Sequence, residues 1–255
     1  MFDLDALRQA ADLIHQSVPP TPQHRWPLLA QRLGCEVWVK HENHTPAGAF
    51  KVRGGVLYVN ELLKHEPKVP GLVTATHGNH GISLAMAARK AGLRLQVLVP
   101  EGNSTEKNAA MRACGAEVTE FGRDFDTARQ KAAEFAEANG WHFVPSLHPD
   151  LIRGVATYAL ELLEAVPDLR RVYVPIGLGS GICGMIRTRD LLGLATEIIG
   201  VVSSAADAYA LSVEQGRIGA VLRGAGRASE AADVEERLVD GQALDQRRGL
   251  GEHLE

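Results

Sequence analysis

Val172-Tyr173-Val174-Pro175-Ile176-Gly177-Leu178-Gly179-Ser180-Gly181-Ile182-Cys183-Gly184 reads as a short strand, a glycine-rich loop and the first turn of a helix. The free backbone N–H groups of such a helix start, approached over glycines that carry no side chain, form a cradle for phosphate. Gly179, Gly181 and Gly184 also satisfy a dinucleotide pattern, G-x-G-x-x-G. That rival needs an acidic residue near the end of the next strand to hold a ribose hydroxyl. Val202, Ser203 and Ser204 stand there instead, and the loop comes late in the chain. A phosphate monoester therefore fits better than a dinucleotide.

Outward from this loop, short apolar runs alternate with amphipathic stretches. Strands are predicted over residues 36–40, 72–75, 95–99, 117–120, 142–144, 171–175 and 197–202. A helix is predicted over residues 79–90, with Ile82, Leu84, Ala85, Ala88 and Ala91 mostly on one side. Another is predicted over residues 124–138, where Phe125, Ala128, Ala132 and Phe135 recur at three- and four-residue steps. Strand then helix, repeated, implies an α/β protein whose mostly parallel sheet is covered on both faces. Ligands of such sheets bind beyond the carboxyl ends of the strands, so chemistry belongs in the turns that follow them.

Two further turns fit that rule. Thr45-Pro46-Ala47-Gly48-Ala49-Phe50-Lys51-Val52-Arg53-Gly54-Gly55 places a lysine after a small-residue loop, at a helix start. A lone lysine there is most often a surface charge. It becomes a nucleophile when desolvation or neighbouring positive charge lowers its pKa. Thr74-Ala75-Thr76-His77-Gly78-Asn79-His80-Gly81 joins a buried strand to a helix. Gly78 lets the backbone approach a ligand, and the helix start offers N–H groups to an anion such as a carboxylate. Asn79 either donates to a ligand oxygen or caps the helix. His77 and His80 have no carboxylate or cysteine at ligand spacing, so no metal is expected.

Bulk properties narrow the field. The 255 residues are 45% hydrophobic, enough for one large domain or two modest ones sharing a cleft. A net charge of -4 gives no electrostatic footprint for nucleic acid. No apolar run approaches the roughly 20 residues that cross a bilayer, and residues 1–9 do not read as a signal peptide. Cys35, Cys114 and Cys183 are scattered and odd in number, which points to a reducing cytoplasm. From Arg217 the sequence turns Ala-, Gly-, Arg- and Glu-rich, and only residues 230–244 suggest a polar helix.

Lysine turn, Gly-Asn turn and glycine loop, in this order, resemble the pyridoxal-phosphate enzymes of the tryptophan-synthase-β fold type, most of all the serine/threonine dehydratase and serine racemase group. Phe50-Lys51-Val52-Arg53-Gly54 is similar to that group's Ser-Phe-Lys-x-Arg-Gly signature, with Ala49 in place of the serine. Gly78-Asn79-His80-Gly81 is similar to its Gly-Asn-His loop. Residues 174–184 resemble its phosphate loop, with Leu178 and Ser180 replacing glycines, and Gly115-Ala116-Glu117-Val118 resembles a recurring segment. The resemblance covers roughly residues 15 to 216 and implies two three-layer αβα lobes. Residues 69–143 would form a small domain, and residues 1–68 with 144–255 a large one.

The resemblance also implies the site. Lys51 would carry pyridoxal 5'-phosphate as a Schiff base and later act as general base. Phe50 would pack on the ring, and Asn79 would bind its phenolic oxygen. Gly177, Leu178, Gly179, Ser180 and Gly181 would hold the phosphate. Thr76 and the backbone of His77, Gly78 and His80 would take the substrate carboxylate. The implied activity is an ammonia-lyase releasing a 2-oxo acid from L-threonine or L-serine. Hydroxyaspartate or phenylserine dehydration, serine racemisation, and an inactive cofactor-binding homologue are the alternatives. Racemases of the group place a serine where His77 stands, which counts against racemisation. Some members bind a metal through acids in the segment matching residues 201–209, where Val202 and Ala208 stand here. A homodimer is expected. The family usually continues for several more strands and helices, and nothing after Arg217 resembles that region, so a truncated or divergent chain of reduced activity is expected.

Overall fold

A computed structural model describes residues 2–204 and 206–214. In chain order the elements are α1 (Leu4–His15), β1 (Gln23–Arg25), α2 (Pro27–Leu33), β2 (Trp38–Lys40), α3 (Lys51–His65), β3 (Leu72–Ala75), α4 (Asn79–Lys90), β4 (Leu95–Val99), α5 (Thr105–Ala113) and β5 (Glu117–Glu120). They continue with α6 (Phe125–Asn139), β6 (His142–Phe143), α7 (Pro149–Ala165), β7 (Arg171–Pro175), α8 (Ser180–Leu191), β8 (Glu197–Val201) and α9 (Ala208–Glu214).

β3 and β4 are buried at every residue, as the apolar runs Leu-Val-Thr-Ala and Leu-Gln-Val-Leu-Val require of strands covered on both faces. They form the centre of a parallel sheet ordered β5-β4-β3-β6. Alternation along the strands divides the core. Leu72, Leu95, Val97 and Val99 pack with Tyr58, Leu62, Leu84 and Ala88 of α3 and α4. Val73, Ala75 and Leu98 pack on the other face with Phe125, Ala128 and Ala132 of α6. β7 and β8 form a separate parallel pair. In β7 only Val172 and Val174 are buried, and they meet α7 and α8 through Val155, Tyr158, Ala159 and Met185. β1 and β2 form an antiparallel pair, Gln23 opposite Lys40 and Arg25 opposite Trp38.

α3 lies between the two parallel sheets and touches α4 on one side and α7 on the other. Glycines allow both approaches. A Cβ on Gly54 would stand 2.7 Å from the Leu151 carbonyl oxygen, one on Gly154 2.6 Å from the Arg53 carbonyl oxygen, and one on Gly55 2.2 Å from Ser83 Oγ.

Element ends differ from the sequence expectations where local chemistry decides them. The strand expected over 36–40 starts at Trp38, where pairing with the short β1 begins. The helix expected over 124–138 runs from Phe125 to Asn139. Asp124 is its cap, accepting from the Thr127 N–H at 2.8 Å, and Gly140 ends it in the left-handed region at φ 62°. The strand over 142–144 ends at Phe143, although the Val144 N–H still bonds the Val73 carbonyl. The strand over 197–202 ends at Val201. The polar helix expected over 230–244 lies outside the described residues. Among the described residues no helix is long and apolar enough to cross a membrane.

Candidate active site

The lysine turn is a closed unit. Thr45 Oγ1 donates to the Ala49 carbonyl at 2.8 Å and accepts from the Ala49 N–H at 3.0 Å, while Gly48 turns the chain at φ 66°. This geometry delivers Phe50 and then Lys51 as the first residue of α3. Lys51 Nζ stands 5.9 Å from the centroid of the Phe50 ring.

The glycine loop follows the carboxyl end of β7. Gly179 takes φ 93°, and α8 starts at Ser180 with no side-chain cap, so its first N–H groups remain available to an anion. Gly177 is exposed, Leu178 half-buried, and Gly179, Ser180 and Gly181 are buried. Phe50 reaches this helix start: a Cβ on Gly181 would lie 3.6 Å from Phe50 Cζ and 3.4 Å from the Tyr158 hydroxyl. Tyr158 stands 6.0 Å from the Phe50 ring and donates to the Gly181 carbonyl at 3.1 Å. Burial pushes the Tyr158 hydroxyl far up, so it keeps its proton and remains a donor. The lysine turn and the glycine loop are thus neighbours through Phe50 and Tyr158.

The third turn follows β3. Thr76 Oγ1 accepts from the Gly78 N–H at 3.0 Å. Gly78 precedes α4 and no side chain caps that helix, so Asn79 is not the cap but an exposed residue of the first turn. The start of α4 is tied to the lysine: Ser83 Oγ donates to the Lys51 carbonyl at 2.7 Å. A Cβ on Gly78 would stand 2.2 Å from Cδ of Lys107 on α5. His77 is exposed, its ring 5.6 Å from that of Phe125. His80 is buried and Nε2 has no hydrogen-bond partner. Burial, and secondly the charge of Lys51, push its pKa down to about 3, so the ring is neutral at any ordinary pH.

A cluster that the sequence does not announce fixes α3 from behind. Arg53, wholly buried two residues after Lys51, donates to Glu42 at 2.8 and 3.0 Å and to Glu161 at 2.5 and 3.0 Å. Lys40 and His15 also reach Glu161, at 2.5 and 2.8 Å. Burial alone would raise the Glu161 carboxyl. Its bonds to Arg53, Lys40 and His15 outweigh that and hold it below its ordinary value. Arg53 is the arginine of the lysine-turn motif, but no motif names its partners, because Arg53 and Glu161 are 108 residues apart. Only the mismatch of an arginine inside an apolar helix face, Val52 to Leu57, hints at a buried partner.

Two of the three turns, after β3 and β7, lie at carboxyl ends of parallel strands, where ligands of open α/β sheets bind; the lysine turn, which follows the antiparallel strand β2, meets them through Phe50 and through the Ser83 bond to the Lys51 carbonyl. The residues fit a phosphorylated aromatic aldehyde. An uncapped helix start behind glycines suits the phosphate, the Phe50 ring is a flat apolar surface, and Lys51 is the amine. His80 Nε2 is a buried polar atom still lacking a partner. A surface depression lined by Pro167, Asp168, Arg170, Arg171, Thr196 and Glu197 lies at the opposite ends of β7 and β8 and includes none of the three turns. Among the described residues no group of three or more His, Cys, Asp or Glu side chains is placed to hold a metal ion.

An α/β frame carrying a lysine, an uncapped Gly-Asn turn and a glycine loop defines a class of cofactor-dependent enzymes. Family comparison agrees: residues 14–247 match the model of the pyridoxal-phosphate dependent enzymes. The chain belongs to that family, whose cofactor is pyridoxal phosphate. The match runs to residue 247, which corrects the expectation that family likeness stops near residue 216.

Among curated relatives, the chain is 30% identical over 214 residues to the biosynthetic L-threonine dehydratase of Haemophilus influenzae, covering 84% of this chain and 42% of that one. It is 31% identical over 210 residues to L-threo-3-hydroxyaspartate ammonia-lyase of Saccharomyces cerevisiae, covering 82% and 64%. Among solved structures it superposes on the T.th. threonine deaminase with a TM-score of 0.81 at 28% identity, covering 94% of this chain and 81% of that one. The fold is the tryptophan-synthase-β-like one of this family, α/β with mostly parallel sheets. The chain spans from 32% to 42% of the length of the threonine dehydratases it matches.

Proposed function

We propose that this chain is an ammonia-lyase that converts a β-hydroxy amino acid, L-threonine or L-serine, to a 2-oxo acid and ammonia. The observation that carries the reading is the convergence of Lys51, through Phe50, on the glycine loop at Gly181, with the start of α4 bound to the Lys51 carbonyl. Similarity to threonine dehydratases and to a threonine deaminase supports the choice of substrate.

Pyridoxal phosphate, when bound, delocalises the negative charge left at the substrate Cα once its proton has gone. The rest is the work of the chain. Lys51 Nζ would hold the cofactor and, once the substrate amine has taken its place, would be the base that takes the Cα proton. Phe50 packs beside the ring, and Asn79 donates to its ring oxygen. Backbone N–H groups of Gly177, Leu178, Gly179, Ser180 and Gly181 hold the phosphate. Thr76 and the backbone of His77, Gly78 and His80 hold the substrate carboxylate, fixing the Cα–H bond toward Lys51. We divide the chain into a small lobe, residues 69–143, and a large one formed by the remainder. That division is supported by the independence of the β3–β6 sheet from the β7–β8 pair.

The test is release of 2-oxo acid by purified protein loaded with pyridoxal phosphate. Release from L-threonine or L-serine supports the reading; none from any β-hydroxy amino acid sinks it. A second reading, an acidic substrate such as threo-3-hydroxyaspartate, is favoured by Lys107. Its side chain packs beside Gly78, and among the described residues its ammonium makes no ion pair. A preference for hydroxyaspartate over threonine that disappears in Lys107→Met would establish it.

A further inference from the structure

Buried polar atoms in folded proteins are almost always hydrogen-bonded, so an exception needs a reason. His80 Nε2 is such an exception, in a residue only 5% exposed. Its position supplies the reason. His80 precedes Ser83 by three residues on α4, so the two share a face. Ser83 Oγ bonds the Lys51 carbonyl, which places that face against the start of α3. His80 lies one turn nearer the uncapped end of α4, on the face that Ser83 ties to the start of α3, and within reach of the Lys51 charge. The site therefore has a buried ring nitrogen with no protein partner in the first turn of the helix that is tied to its lysine.

We propose that the His80 imidazole is itself a ligand contact: it stays neutral, carries its proton on Nε2, and donates that proton to an anionic oxygen of the molecule bound beside Lys51. This rests on the reading of the site given above and adds a side-chain donor to its backbone ones. The assignment of the proton follows from chemistry. Phenolate, phosphate and carboxylate oxygens only accept, so a neutral ring that partners one of them must donate. Keeping the ring neutral also matters to Lys51, because a second positive charge would compete for the same anion. Two ligands carry such oxygens, the cofactor with its phenolate and phosphate and the amino acid with its carboxylate.

Loading the protein in two steps distinguishes them. Protein labelled with nitrogen-15 at histidine is compared without ligand, with pyridoxal phosphate, and with pyridoxal phosphate plus L-alanine, which has no β-hydroxyl to lose. The His80 ring signals are assigned by their absence in His80→Gln. The expected result is a protonated Nε2 whose proton shifts strongly downfield at one of the two additions, naming the ligand. His80→Leu should then weaken binding of that same ligand by about tenfold, the worth of one buried hydrogen bond. Ring nitrogens unmoved by either addition, or an Nε2 without a proton, overturn the inference. Borohydride reduction with peptide mapping separates the causes of failure. A Lys51 adduct with His80 unmoved overturns the His80 assignment alone, whereas no Lys51 adduct overturns the parent reading and this one with it.

Discussion

Acidification from pH 7.5 to 5.0 should destabilise the unliganded protein through His80. The sign follows from the direction of the shift. Burial and the neighbouring Lys51 lower the folded pKa from 6.5 to about 3, so the unfolded chain binds the proton first. Stability is intact above 6.5, falls as pH drops below it, and levels off near the folded value. At pH 5.0 the folded ring is still neutral, so protonation of the unfolded chain alone sets the loss, about 2 kcal/mol. For a chain of this size that corresponds to a melting temperature lower by roughly 4–8 °C. The carboxyls of Glu61 and Glu161, both held below 4.5, still carry their charge there and add little. The assay is urea unfolding of the wild type and His80→Gln at both pH values. The wild type should lose about 2 kcal/mol more than the variant between them. Equal losses would show that His80 titrates in the folded protein as it does in the unfolded one, and the account of its burial would be wrong.

Lys51→Ala should leave no visible band that borohydride bleaches and should lower turnover by about 10²–10⁴, the worth of a general base; a reduced adduct on another lysine contradicts the assignment. Arg53→Met strands Glu42 and Glu161 in the interior and should cost about 3–5 kcal/mol in urea unfolding, while Arg171→Ala, at an exposed pair with Glu197, should cost far less. The reverse ranking would refute the view that burial decides the worth of these pairs. Gly154→Ala puts a methyl 2.6 Å from the Arg53 carbonyl oxygen and should destabilise by about 1–3 kcal/mol, checked by thermal melting. Asp207 is the lone carboxylate in residues 201–209, so a chelator should leave turnover unchanged, and restoration of lost activity by magnesium or calcium would contradict this.

Much of the frame is legible because its signals are local. Leu72–Ala75 and Leu95–Val99 are unbroken apolar runs, and the alternation in Arg171–Pro175 matches its buried Val172 and Val174. The glycine loop and lysine turn show themselves because anion binding and close approach demand small residues in sequence. What stays hidden depends on distant partners. Gln23–Arg25 is wholly polar and becomes a strand only by pairing with Trp38–Lys40. Arg53 belongs to the lysine-turn motif, yet its task stays unread until Glu42 and Glu161 close around it. The two histidines of the Gly-Asn turn cannot be told apart in sequence, yet His77 faces solvent and His80 is enclosed. That difference arises from α4 lying against α3.

The glycine pair at the crossing of α3 and α7 has a consequence for the width of the cleft. Gly54 and Gly154 act as a spacer of no thickness: with both methyls absent, the two backbones meet directly. α3 begins with Lys51, and α7 carries Tyr158, which grips the carbonyl of Gly181. The reach from lysine to glycine loop is thus gauged by atoms that are not there. A single carbon at either position would act as a shim, prising the jaws apart by a fraction of an ångström without altering any residue that lines them. Laboratory evolution toward bulkier or smaller amino acids could adjust the bite at this crossing while leaving the chemical groups of the cleft untouched.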